Sequence, residues 1–92
     1  MQRISIKQLE AQCEHLNRLT DSPLEPYTRK DGKFTANIGN YHLSQAYGGV
    51  ELHRMATDGG GASTPAWHGY VPKREAHERL GAFINGIYAA KA

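Results

Sequence analysis

One cysteine, Cys13, is all the chain has, so it cannot form an internal disulfide, and a reducing, intracellular setting is the default expectation. There is no long hydrophobic run. The start, "MQRISIKQLE", lacks the apolar core of a signal peptide, and no segment reads as a membrane span. A dominant charge is missing as well. Eleven Lys and Arg stand against nine Asp and Glu, which disfavours nonspecific duplex binding, because phosphate contacts dominate that affinity. Only a local basic patch could serve an anionic partner. The 92 residues suffice for one compact domain and not for two.

Chemical motifs are equally scarce. Gly59-Gly60-Gly61 is followed by "ASTP", without the lysine of a phosphate-binding loop, and reads as a mobile connector. His77-Glu78 begins a zinc-protease pattern, but Gly81 occupies the second ligand position. Cys13 falls on an apolar helical stripe, where a small hydrophobe is expected, and His15 points elsewhere. His42, Glu51 and His53 share one sheet face, yet their spacing announces no third zinc ligand in tetrahedral convergence. The expectation is a chain without catalytic residues, metal or cofactor, and without a small-molecule substrate.

What is present is clear punctuation. Ser5 and Gln8 form a capping box, with Ile4 and Leu9 at the staple positions, so a helix is predicted over about 5–19. Its buried face comprises Ile6, Leu9, Cys13, Leu16 and Thr20. Pro23 and Pro26 end it. Three turn signals follow at Asp31-Gly32, Gly39-Asn40 and Gly48-Gly49. They predict four strands at about 26–30, 33–38, 41–47 and 50–57, forming an antiparallel meander. The turns pair Lys30 with Lys33, Ile38 with Tyr41 and Tyr47 with Val50.

Alternation then puts Tyr27, Phe34, Ala36, Ile38, Tyr41, Leu43, Tyr47, Val50, Leu52 and Ala56 on an apolar side. Thr28, Thr35, Asn37, His42, Ser44, Ala46, Glu51, His53, Met55 and Thr57 take the other. Arg29, Gln45 and Arg54 interrupt the apolar face and belong at its margins or a bulge. A flexible loop over 58–70 leads to a second helix over about 72–90, with Ala76, Leu80, Phe83, Ile84, Ile87 and Tyr88 as its stripe. Gly81 and Gly86 lie off that stripe, from close approach of a neighbour or from mere weakness. The expected fold is α+β, with both helices on one face of the meander and the other face open.

Candidate contact residues lie around the rim. Arg29, Lys30 and Lys33 surround the first hairpin turn, where like charges face one another at some cost; edge protection is the plainer explanation. Lys73 and Arg74 open the second helix, where cations oppose its dipole. Trp67 is either a plug at the edge of the core or, with His68, an exposed anchor.

Three stretches carry a resemblance: "EPYTR", "GKFTANIGNYHLSQAYGGVELHRM" and "STPAWHGYVPKREAHERLGAFINGI". The chain resembles, over most of its length, a family of short phage and prophage proteins. One branch of that family includes an anti-CRISPR protein directed against the subtype I-F surveillance complex. The resemblance implies a non-catalytic inhibitor in the cytoplasm of an infected bacterial host, binding Cas proteins that display the guide RNA (crRNA) and blocking hybridisation with target DNA. Contact with crRNA would fall to Arg29, Lys30 and Lys33, or to Lys73 and Arg74. The alternative is a stand-alone module for RNA or single-stranded nucleic acid, although the open sheet face lacks the aromatic row such a module uses.

Overall fold

The computed structural model describes residues 3–91. Helix α1 (Ile6–Leu19) starts as its sequence dictates. Ser5 N–H donates to Gln8 Oε1 at 2.7 Å and Gln8 N–H to Ser5 Oγ at 3.2 Å, closing the capping box. Strands β1 (Tyr27–Lys30) and β2 (Lys33–Ala36) form one two-stranded sheet. Strands β3 (Tyr41–Ala46), β4 (Gly49–Met55) and the short β5 (Ala62–Ser63) form a second, in the order β3-β4-β5. Helix α2 (Lys73–Lys91) follows, its first turn joined to Pro72, whose carbonyl accepts from Ala76 N–H.

The fold is α+β with two small antiparallel sheets in place of one four-stranded meander. The break lies at the second turn. Gly39, at a φ of 96°, reverses the chain together with Ile38, and Asn40 N–H returns to Asn37 C=O. Buried Asn40 is then fixed from several sides. Its Nδ2 donates to Pro23 C=O, its Oδ1 faces the His42 ring, and its C=O accepts from Met55 N–H. Those bonds extend the β3–β4 ladder and direct β3 away from β2. Ile38 therefore does not pair with Tyr41.

The third turn also differs. Tyr47 and Gly48 occupy it, with φ values of 54° and 73°, so Ala46 pairs with Gly49. Gly49 is held in the strand by crowding. A Cβ there would lie 2.9 Å from backbone atoms of Tyr70 and Val71, a distance only glycine avoids. Moving the turn by one residue slides the register by two, so the residues within β3 and β4 keep their predicted faces while Tyr47 passes into the turn. Leu43 now opposes Leu52, and His42 opposes His53.

The main core joins Tyr41, Val50 and Leu52 of the sheet to Leu9, Cys13 and Leu16 of α1 and Ala76, Leu80 and Ile84 of α2. Trp67 completes it. Several residues expected on the buried side are outside it: Tyr27, Phe34, Ile38, Tyr47 and Ala56 are exposed, because the first hairpin leaves the sheet and Tyr47 is a turn residue. Met55, expected on the open face, is buried where β4 meets β5.

The connector is less free than its glycines suggest. Ala56 and Thr57 N–H donate to Gly61 C=O, and Arg54 and Met55 pair with β5. Further on, Val71 bridges Val50 through bonds of 2.8 and 3.0 Å. The connector thus runs along one edge of β4, while β3 occupies the other. Among the described residues, β3's own outer edge meets no strand. Asn17 reaches it: its amide donates to Tyr41 C=O at 2.9 Å and accepts from Tyr41 N–H at 2.8 Å.

Candidate partner-binding surfaces

The β1–β2 hairpin is an arm. Every residue of its strands except Ala36 is exposed, and its register sets Lys30 opposite Lys33 and Arg29 opposite Phe34. The Arg29 guanidinium lies 5.6 Å from the centre of the Phe34 ring, a cation–π contact on a side chain that is 68% exposed. Asp31 and Gly32 form the tip, both at positive φ, as a primed two-residue turn requires. At its base the ladder runs on through Asn37 N–H to Pro26 C=O and Asn37 Nδ2 to Glu25 C=O, and Ala36 N–H to Asp58 C=O ties the arm to the connector. Cationic and aromatic groups therefore sit together at the end of an anchored lever.

The other expected contacts lie elsewhere. Lys73 and Arg74 are exposed in the first turn of α2, and Lys73 borders a small recess with Gln45, Gly48 and Gly49, beside the second hairpin. His68 is exposed, with Nδ1 2.9 Å from Thr64 Oγ1. Trp67 is not a surface anchor: it is buried in the main core, and its indole N–H donates to Val50 C=O at 3.3 Å. The plug reading holds for it. Three exposed aromatics that alternation assigns to the buried side, Tyr27, Phe34 and Tyr47, join the surface instead. Tyr47, 94% exposed, stacks edgewise on Tyr70 at 5.5 Å. A positive-φ position is a poor site for a core aromatic, and the "AYGGV" run leaves two placements for the turn.

The histidine face is a fastening. His53 Nε2 donates to Glu51 Oε1 at 2.7 Å, while Gly69 N–H donates to Glu51 Oε2 at 2.6 Å, tying the connector to β4. Both bonds favour the carboxylate, so the His53 contact first and the Gly69 N–H second hold Glu51 below its usual pKa. Burial, then the neighbouring His53 ring 5.6 Å away, lowers the pKa of His42. Among the described residues, no group of three or more His, Cys, Asp and Glu side chains is arranged to hold a metal ion. Cys13 is buried, and burial followed by the charge of Glu10 pushes its pKa up to about 12. A thiol in that state is a poor nucleophile.

A groove of about 710 Å³ runs between α1 and the outer edge of β3. Ile6, Cys13, Tyr41 and Leu43 contribute apolar surface, and Lys7, Glu10, Glu14 and Glu25 are its charged lining. Because Tyr41 turns both backbone groups outward to Asn17, the strand period turns those of Leu43 and Gln45 outward too. No helix among the described residues is long and apolar enough to cross a membrane. Comparison with protein-family models, curated proteins and solved structures finds no match.

Proposed function

We propose that the protein is a non-catalytic phage inhibitor of CRISPR–Cas immunity, which binds the type I-F crRNA-guided surveillance complex and blocks hybridisation of target DNA. The observation that carries this reading is the arm, with Arg29 over Phe34 and Lys30 beside Lys33 on an exposed, anchored hairpin. An isolated two-stranded hairpin is marginal in water, so a partner that covers the arm would steady it. Cations recognise RNA phosphates, while an exposed ring offers a stacking surface for an unpaired base. The resemblance to the phage family supplies the identity of the target. Both helices backing one side of β3–β4 would give the arm a stiff mount, which suits wedging between Cas subunits. Lys73 and Arg74 would form a second contact.

The test is a target-DNA mobility shift with purified type I-F complex. The wild-type protein abolishes the shift at saturation, and a Lys30→Glu/Lys33→Glu variant does so only at higher concentration while keeping its circular dichroism spectrum. Undiminished DNA binding at saturating protein overturns the proposal. The pairing of Arg29 with Phe34 also favours a second reading, a module that binds RNA by itself. A tight shift of free RNA or single-stranded DNA selects that one.

A further inference from the structure

We propose that two copies of this chain associate about a two-fold axis, the basic arm of each lying in the acidic groove of the other. Both complementary surfaces are present on one molecule. The arm carries Arg29, Lys30 and Lys33 against a single carboxylate, Asp31. The groove carries Glu10, Glu14 and Glu25; Lys7 also lines it, and Arg18 pairs with Glu14 at 2.9 Å, which leaves Glu10 and Glu25 as its main acidic contacts. Opposite charges placed in this way steer association and fix its register.

The backbone and the apolar surface agree with the charges. The groove exposes the unpaired edge of β3 at Leu43 and Gln45, a template for an added strand. On the arm, Lys30 and Lys33 flank a two-residue turn and are a hydrogen-bonded pair, so alternation turns the backbone groups of Tyr27 and Arg29 outward. One free edge can therefore meet the other. Leu24, Tyr27, Phe34 and Ile38, all on the arm or at its roots, are exposed and would supply the apolar part of the contact.

The symmetry follows from the sequence. Glu25 and Pro26 line the groove and Tyr27 begins the arm, so donor and receiver surfaces adjoin. An axis between them satisfies both contacts at once and closes the assembly as an isologous dimer. This inference does not depend on the proposed inhibition, because it is read on the protein alone; the arm would meet either its second copy or another partner.

Light scattering on the purified chain tests it. At low salt and high protein concentration the expected mass is twice the 10.2 kDa of the chain, falling towards the monomer value as salt rises. A Lys30→Glu/Lys33→Glu variant and a Glu10→Lys/Glu25→Lys variant should each be monomeric. Mixed together they should form a heterodimer, since the mixture restores one contact with its charges exchanged and the other as it is in the wild type. A wild-type chain that stays monomeric, variants that dimerise separately, or a mixture that does not associate overturns the proposal. Should a charge variant fail to fold, hydrogen exchange on the wild type decides between dimer and monomer. Protection of residues 27–36 and 41–46 that rises with concentration supports the dimer, and unchanged protection refutes it.

Discussion

Replacing Asn17 with Ala should be among the most damaging single changes in this domain. The side chain is 2% exposed and makes two bonds to one residue of another element, donating to Tyr41 C=O and accepting from Tyr41 N–H. In geometry it stands in for one rung of a missing strand, and it fixes α1 at the beginning of β3. Truncation leaves both backbone groups of Tyr41 without their partners. Each unsatisfied buried group costs about 1–3 kcal/mol. Asn17 also borders the groove, so water can reach part of the vacated space, which argues for the lower half of the sum, about 2–4 kcal/mol. Against a total stability of roughly 5–14 kcal/mol for a chain of this length, that is a large fraction.

Urea denaturation followed by far-ultraviolet circular dichroism measures the loss, and the emission of buried Trp67 provides a second probe of the same transition. A loss of about 3 kcal/mol lowers the thermal midpoint by roughly 12–24 °C. Asn17→Asp is the sharper control. Its carboxylate can accept from Tyr41 N–H but meets Tyr41 C=O with another acceptor, so at neutral pH it should cost at least as much as Ala. If both variants unfold within about 0.5 kcal/mol of the wild type, a range typical of surface changes, the pairing of Asn17 with Tyr41 does not bear on stability.

Two further expectations concern stability. Gly81 and Gly86 sit inside α2, and a Cβ added at either meets nothing within 4 Å, so the weakness reading holds and close approach does not. Gly81→Ala and Gly86→Ala should each stabilise the domain by about 1 kcal/mol, read as a raised urea midpoint; a lowered midpoint would refute the weakness reading. The second concerns acid. His42 has a folded pKa lowered from 6.5 and Glu51 one lowered from 4.5, so in each case the unfolded chain takes up the proton first. The stability each contributes is present above its unfolded pKa and declines as pH falls towards its folded one. Urea midpoints measured downward from neutral pH should begin to fall below 6.5, with a further fall below 4.5. A His42→Gln variant should remove the first decline and keep the second. Parallel curves for variant and wild type through pH 6.5 would exclude His42 as its source.

Local chemistry is readable from the residues themselves. Ser5 and Gln8 close their capping box, Asp31-Gly32 turns the first hairpin, and alternation puts Tyr41, Val50 and Leu52 in the core with Leu9, Leu16 and Leu80. The errors arise where a distant partner decides. Gly39-Asn40 resembles a hairpin turn, but the bonds of Asn40 to Pro23, His42 and Met55 separate the sheets, and none of these is visible in local spacing. Gly49 reads as a turn residue because glycine tolerates positive φ, whereas its role here is to let Tyr70 and Val71 pass close by. Of the candidate contacts, the cations of the arm are legible as like charges across a turn. The exposure of Phe34 is not, since it follows from the arm leaving the sheet.

The path of the connector has a consequence for synthesis. Strand β4 is central, but Trp67, Gly69 and Val71, which occupy its far side near Val50 and Glu51, emerge from the ribosome after it. Until they and α2 are released, a nascent chain holds β4 with one flank bare and half its apolar cover missing. Such intermediates are prone to stick to one another. Release of residues 67–91 is thus the moment at which this domain becomes safe from its own neighbours on a polysome.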